Sequence, residues 1–122
     1  MTLRSLPARF AVCKLAPDAG IPGGLDESVL YSVTRTENEL SLVCRDARDL
    51  PGQVERGWCC LEVEGPFEFT LVGVLASLTQ PLAEAGVSIF ALSTFDTDYL
   101  LVKEAQYESA VAALQAAGHR IS

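Results

Sequence analysis

"TLVGVLASLTQPLAEAGVSIFALSTFDTDYLLVK", residues 70–103, carries two different periods in one unbroken run. Leu71, Leu75, Leu78 and Leu82 recur at spacings of four, three and four, which lines them along one stripe of a helix. The spacing predicts a helix from about Phe69 to Ala85, with Gly86 as its stop. Pro81 has no amide hydrogen to give, so a bend is expected in the last turn. Beyond Gly86 the pattern changes to two short apolar runs, "VSIFALSTF" and "DYLLVK", which read as two strands joined through the polar "STFDTD".

Outward from this run the alternation continues. "WCCLEVEG", residues 58–65, is a strand by composition, stopped by Gly65 and Pro66. "EAQYESAVAALQAAG", residues 104–118, is an alanine-rich helix with Tyr107, Val111 and Leu114 on one face and Gly118 at its end. "HRIS" adds a last short strand. The order β-α-β-β-α-β over residues 57–122 predicts an α+β, ferredoxin-like unit, both helices on one face of an antiparallel sheet. Residues 1–56 read differently. "RFAVCKL" is a strand, and "APDAGIPGGLDE" is a loop because two prolines and three glycines forbid a helix. "SVLYSVTRT" and "ELSLVCR" form a hairpin turning near Glu37 and Asn38, and "DARDLPGQVERG" returns to loop. This half is β-rich without a helix.

Charge excludes some partners. The chain has 122 residues and a net charge of −7, and residues 57–122 hold only Lys103 and Arg120 against eight acids. Such a surface cannot neutralise a phosphate backbone or hold an anionic membrane, so no nucleic acid and no membrane partner is expected. No apolar run approaches the roughly 18–20 residues that cross a bilayer, and no signal-type block opens the chain. The reading is a soluble, cytoplasmic protein. Cys13, Cys44, Cys59 and Cys60 show no CxxC spacing, and His119 is far from all four, which predicts free thiols and no metal site. No cofactor is implied.

On "GPFEFTLVG" and "IFALSTFDTDYLLV" the chain resembles the ACT domains, small ligand-sensing modules of amino-acid-metabolism enzymes. More narrowly, it resembles the stand-alone tandem-ACT proteins related to the animal cytosolic arginine sensors, the CASTOR family. The close match covers residues 57–122. "YSVTRTENELSLVC" is similar to the partner half, so residues 1–56 are expected to form a reduced ACT-like unit lacking the first helix.

Two readings of "STFDTD" follow. Asp and Thr side chains close local turns by bonding backbone groups. Alternatively, the "GPFEF" turn, with Gly65, Pro66, Phe67 and Glu68, offers unpaired backbone N–H groups to a carboxylate, Pro66 itself having none, while Asp98 or Asp96 accepts from an ammonium and Ser93 and Thr94 add hydroxyl or backbone contacts. The resemblance implies ligand roles for Thr94, Phe95 and Asp98. Glu68 would repel a carboxylate unless it serves the helix N-terminus or a second cationic group. The implied function is non-catalytic binding of a small molecule, an amino acid, by a homodimer. An interaction module with a vestigial site is the alternative. A small enzyme is a weaker reading: Asp96 with Asp98, or Cys59 and Cys60, find no completing base, so no catalytic residue is assigned.

Overall fold

The computed structural model of the chain describes residues 1–47, 49–64 and 73–122. Seven strands and two α-helices lie among the described residues: β1 (Thr2–Leu15), β2 (Ser32–Arg35), β3 (Leu40–Arg45), β4 (Gln53–Val63), α1 (Val74–Glu84), β5 (Ile89–Ser93), β6 (Asp98–Lys103), α2 (Tyr107–Ala116) and β7 (Arg120–Ile121). The chain folds as two units, one of Met1–Pro7 with Cys59–Ser122 and one of Ala8–Trp58, so β1 and β4 each contribute to both.

In the first unit the expected β-α-β-β-α-β order is β4-α1-β5-β6-α2-β7, an α+β ferredoxin-like arrangement. Its sheet runs β7-β1-β4-β6-β5. The start of β1 is therefore inserted next to β4, and β7 pairs with it in parallel, Thr2 with Arg120 and Leu3 with Ile121, so this sheet is not wholly antiparallel as the sequence suggested. The sequence reading began this strand at Arg9. It begins at Thr2, because Leu3 and Leu6 are buried although Arg4 and Pro7 interrupt the apolar pattern. Alternation along β4 sends Cys59, Leu61 and Val63 to one face, where they pack with Leu3, Leu100 and Val102 under Leu78 and Leu82 of α1 and Ala110 and Leu114 of α2. Each such leucine contributes about 1.5–3 kcal/mol when fully buried.

Helix α1 begins at Val74, later than the expected Phe69: Gly73, inside the expected span, has φ +82° and stands at the cap rather than in the helix, and Phe69, Thr70, Leu71 and Val72 lie outside the described residues. Of its leucine stripe, Leu78 and Leu82 are fully buried, whereas Leu75 is 36% exposed and does not belong to the core. Both helices end in the same way. Gly86 has φ +74°, its N–H donates to Ala83 O at 3.0 Å, and Val87 N–H donates to Leu82 O at 2.9 Å. At the end of α2, Gly118 and His119 bond Gln115 O and Leu114 O in the same pattern. Pro81 lies inside α1, so the Ser77 carbonyl one turn earlier loses its helical donor. His119 replaces that donor, with its Nε2 3.0 Å from Ser77 O. Donation from Nε2 leaves Nδ1 as an acceptor, and the Met1 ammonium lies 3.0 Å from it.

In the second unit the strands run β2-β3-β1-β4. β1 and β3 pair antiparallel from Phe10–Arg45 to Leu15–Leu40, and β2 and β3 from Ser32–Val43 to Arg35–Leu40. Thr36 closes the hairpin: its Oγ1 accepts from the N–H of Asn38 and of Glu39. Two sequence boundaries shift here. Residues 28–31 are not strand, because Ser28 uses its hydroxyl on Leu30 O at 2.5 Å and accepts from Arg45 N–H at 3.0 Å, which holds a bend. Residues 53–57, read as loop, are the first part of β4, where Arg56 pairs with Asp46 at 2.5 Å and Gly57 N–H donates to the same carboxylate at 3.1 Å. Where a helix would cover the sheet, Ala19 and Leu25 of the β1–β2 loop and Leu50 pack on Cys13, Leu40 and Leu42.

Candidate ligand groove at the β5–β6 hairpin

Strands β5 and β6 pair in register from Ile89–Val102 to Ser93–Asp98, which leaves residues 94–97 as the turn. The turn is closed locally. Thr94 N–H donates to Thr97 O at 2.8 Å, the Thr94 hydroxyl donates to the same oxygen at 3.2 Å, and Thr97 N–H donates to Thr94 Oγ1 at 3.3 Å. Ser93 donates its hydroxyl to Asp98 Oδ1 at 2.5 Å. The turn chemistry of the first sequence reading is thus present, and it engages Ser93, Thr94 and one oxygen of Asp98. Phe95 is 79% exposed at the tip.

Thr97 differs from its neighbours because its hydroxyl reaches out of the turn and donates to the Val63 carbonyl. That bond fixes the tip of the hairpin to the end of β4, two residues before Gly65. Gly65, Pro66, Phe67 and Glu68 themselves lie outside the described residues. An open groove of about 440 Å³ surrounds this junction, lined by Glu62, Val63 and Glu64 from β4 and by Thr94, Asp96, Thr97 and Tyr99 from the hairpin. Alternation along β6 puts Tyr99 on the face away from Leu100, while Asp98 and its partner Ser93 share the helix-covered side. The predicted residues are therefore divided: Ser93 and Asp98 together on one side, Thr94 on the groove, and Phe95 exposed at the tip.

Glu62, Glu64 and Tyr99 were not singled out by the sequence. The alternation of Cys59, Leu61 and Val63 marks Glu62 as facing the other way, but the β4–β6 pairing that brings Tyr99 to it cannot be read from either strand alone. Arg4 pairs with Glu62 Oε1 at 2.8 Å and the Tyr99 hydroxyl donates to Oε2 at 2.8 Å, so this carboxylate is satisfied. Burial first, and then the hydrogen bond to Glu62, pushes the Tyr99 phenol up to about 12, so it holds its proton and donates well into the alkaline range. Glu64 and Asp96 have no side-chain partner among the described residues. Two uncompensated carboxylates on one groove favour an ammonium over a carboxylate.

The thiols are all buried. Burial pushes Cys60 up to about 12 and Cys13 to about 11, and a thiol held protonated at neutral pH is a poor nucleophile. Among the described residues no three His, Cys, Asp or Glu side chains are placed to hold a metal, and no helix is long and apolar enough to cross a membrane.

The family model described as the ACT domain matches residues 53–116, and a second model, of an N-terminal domain, matches residues 8–50. A crystallised Agrobacterium tumefaciens protein is similar over 99% of this chain and 91% of its own, with 36% identity and a TM-score of 0.91. A Vibrio cholerae protein of unknown function, described as a possible transport protein, covers 95% of this chain and 88% of its own at 18% identity and a TM-score of 0.69. Clostridium acetobutylicum aspartate kinase, described as an allosteric enzyme, shares the fold over 94% of this chain and 34% of its own, at 12% identity and a TM-score of 0.66. No curated protein matches the chain.

Proposed function

Because the chain belongs to the ACT domain family, regulatory modules that bind small molecules such as amino acids and often oligomerise, we propose that it is a non-catalytic amino-acid sensor acting as a cytoplasmic homodimer. The observation that carries this reading is the bond from Thr97 to Val63, which brings the hairpin tip to the strand end that leads into Gly65. Residues 57–122 form the ACT domain in this proposal and residues 1–56 the reduced ACT-like partner, as in the tandem proteins related to the arginine sensors.

The ligand carboxylate meets backbone N–H groups of the turn formed by Gly65, Pro66, Phe67 and Glu68, Pro66 itself having none to give. Asp98, oriented by Ser93, holds the ammonium on its side of the hairpin, Thr94 adds a backbone contact at the turn, and Phe95 covers the stem. Glu68, with Glu64 and Asp96, favours a second cationic group. Two or three hydrogen bonds to charged groups, at roughly 1.5–3 kcal/mol each before ordering costs, suit micromolar to millimolar affinity. Calorimetry with each of the twenty amino acids at neutral pH tests it: heat from a basic amino acid is expected, and no heat from any at millimolar concentration sinks the proposal.

The interaction-module reading draws on two features of the same hairpin. β5 ends its sheet, with no strand beyond it among the described residues, and Phe95 stands out beside it. Edge strands of this kind are covered in symmetric pairs. A dimer lost in Phe95→Ser, with no amino acid bound by the parent, favours this second reading.

A further inference from the structure

The unit of Ala8–Trp58 holds a cavity that the hairpin site does not use. Its origin is the β1–β2 loop: prolines and glycines replace a covering helix with a single short turn, Leu25–Glu27, and the loop does not fill the space over the sheet. About 180 Å³ remains between Leu25 of the loop, Leu42 and Cys44 of β3, and Leu50 from the segment before β4. Leu42 is 1% and Cys44 3% exposed, so the floor is apolar. A cavity of about 150 Å³ already admits a benzene-sized guest.

The mouth has the opposite character. Glu27 of the loop and Asp49 of the segment before β4 are the acidic residues of the lining, both exposed and neither with a side-chain partner among the described residues. Alternation along β3 gives Leu42 and Cys44 the cavity side and turns Arg45 the other way. Arg45 joins the wall through its backbone, where its N–H donates to Ser28 Oγ at 3.0 Å and fastens the loop to the strand. An apolar floor beneath two carboxylates is complementary to a molecule with a compact hydrocarbon body and one cationic head.

We propose that this cavity is a second binding site, for small aliphatic primary amines, with the hydrocarbon on Leu25, Leu42, Cys44 and Leu50 and the ammonium between Glu27 and Asp49. The site is independent of the hairpin proposal. A ligand carboxylate would meet both acids, so the amine is preferred over the corresponding amino acid.

Leucine-methyl NMR on the full chain tests this with isopentylamine, its neutral isostere isopentanol, and leucine. Isopentylamine is expected to shift the methyls of Leu25, Leu42 and Leu50, and to bind at least tenfold more tightly than either of the others at low salt. The exposed double variant Glu27→Gln with Asp49→Asn should remove the preference over isopentanol while isopentanol binding stays. Cys44→Met, which fills the floor, should abolish binding of both. Unshifted Leu25, Leu42 and Leu50 methyls would overturn the proposal, as would equal affinity for the amine and the alcohol, tighter binding of leucine, or shifts confined to the β5–β6 hairpin. The last result would leave the hairpin site standing and remove this one.

Discussion

Asp98 serves its turn with one oxygen and, in the proposed function, offers the carboxylate to a ligand. Ser93 holds one of its oxygens at 2.5 Å, which orients the carboxylate without neutralising it. Asp98→Ala is therefore expected to lower amino-acid affinity about ten- to a hundredfold, the loss of a charge-assisted hydrogen bond worth roughly 1.5–3 kcal/mol. Its melting temperature should stay close to that of the parent, because the residue is not core. Ser93→Ala should weaken binding by less than Asp98→Ala, since it removes only the orienting contact. Calorimetry and thermal melts of the two variants check both points, and equal affinities in the parent and Asp98→Ala would remove this residue from the site. The polar composition of "STFDTD" made the turn legible in the sequence. The reach of Thr97 to Val63 was not legible, because nothing local to the turn specifies which backbone carbonyl lies across from it.

At the scale of the element, the leucine stripe located α1 from Val74 onward but overstated its buried face. Leu78 and Leu82 are closed in by α2 and the sheet, whereas Leu75 lies a turn earlier, where that cover thins. Leu75→Asp should cost under about 1 kcal/mol and Leu78→Asp roughly 3–5 kcal/mol, read from urea denaturation, since only the second buries an unpaired charge. Equal costs would refute the assignment of faces. Pro81 was legible as a break in the hydrogen-bond ladder, but its compensation was not, because His119 comes from 38 positions further along the chain. The bond from His119 to Ser77 O should contribute about 1 kcal/mol. In Pro81→Ala the restored helical amide satisfies the same carbonyl, so His119→Ala should cost about 1 kcal/mol in the parent and much less in the Pro81→Ala background. A double-mutant cycle measures that difference, and an additive cycle would show that the two residues do not share the carbonyl.

At the scale of the whole molecule, periodicity sufficed for the β-α-β-β-α-β order because each element carries its own signal. The insertion of β1 beside β4 was hidden because strand neighbours are chosen by long-range pairing, and "MTLRSLPA" has no apolar alternation to advertise it. Burial of thiols is the more general consequence of this packing, and it predicts how stability responds to alkali. Burial pushes Cys13 from an ordinary value near 9 to about 11 and Cys60 to about 12, and raises Cys44 as well. Tyr99 is pushed from near 10 to about 12, again by burial first and then by its bond to Glu62. Each of these groups holds its proton more tightly when folded. Above pH 9 the unfolded chain therefore binds fewer protons than the native one, and stability falls as pH rises. The contribution of these groups is whole below pH 9 and is lost progressively as pH climbs through 11 to 12. Urea denaturation at pH 8, 9, 10 and 11 should give a midpoint that is level between the first two and declines through the others. Cys60→Ala should flatten part of that decline, and thiol alkylation of the native protein at pH 8 should be slow until urea unfolds it. A midpoint unchanged from pH 8 to pH 11, or rapid native alkylation of all four thiols, would show that the cysteines are not held protonated by the fold.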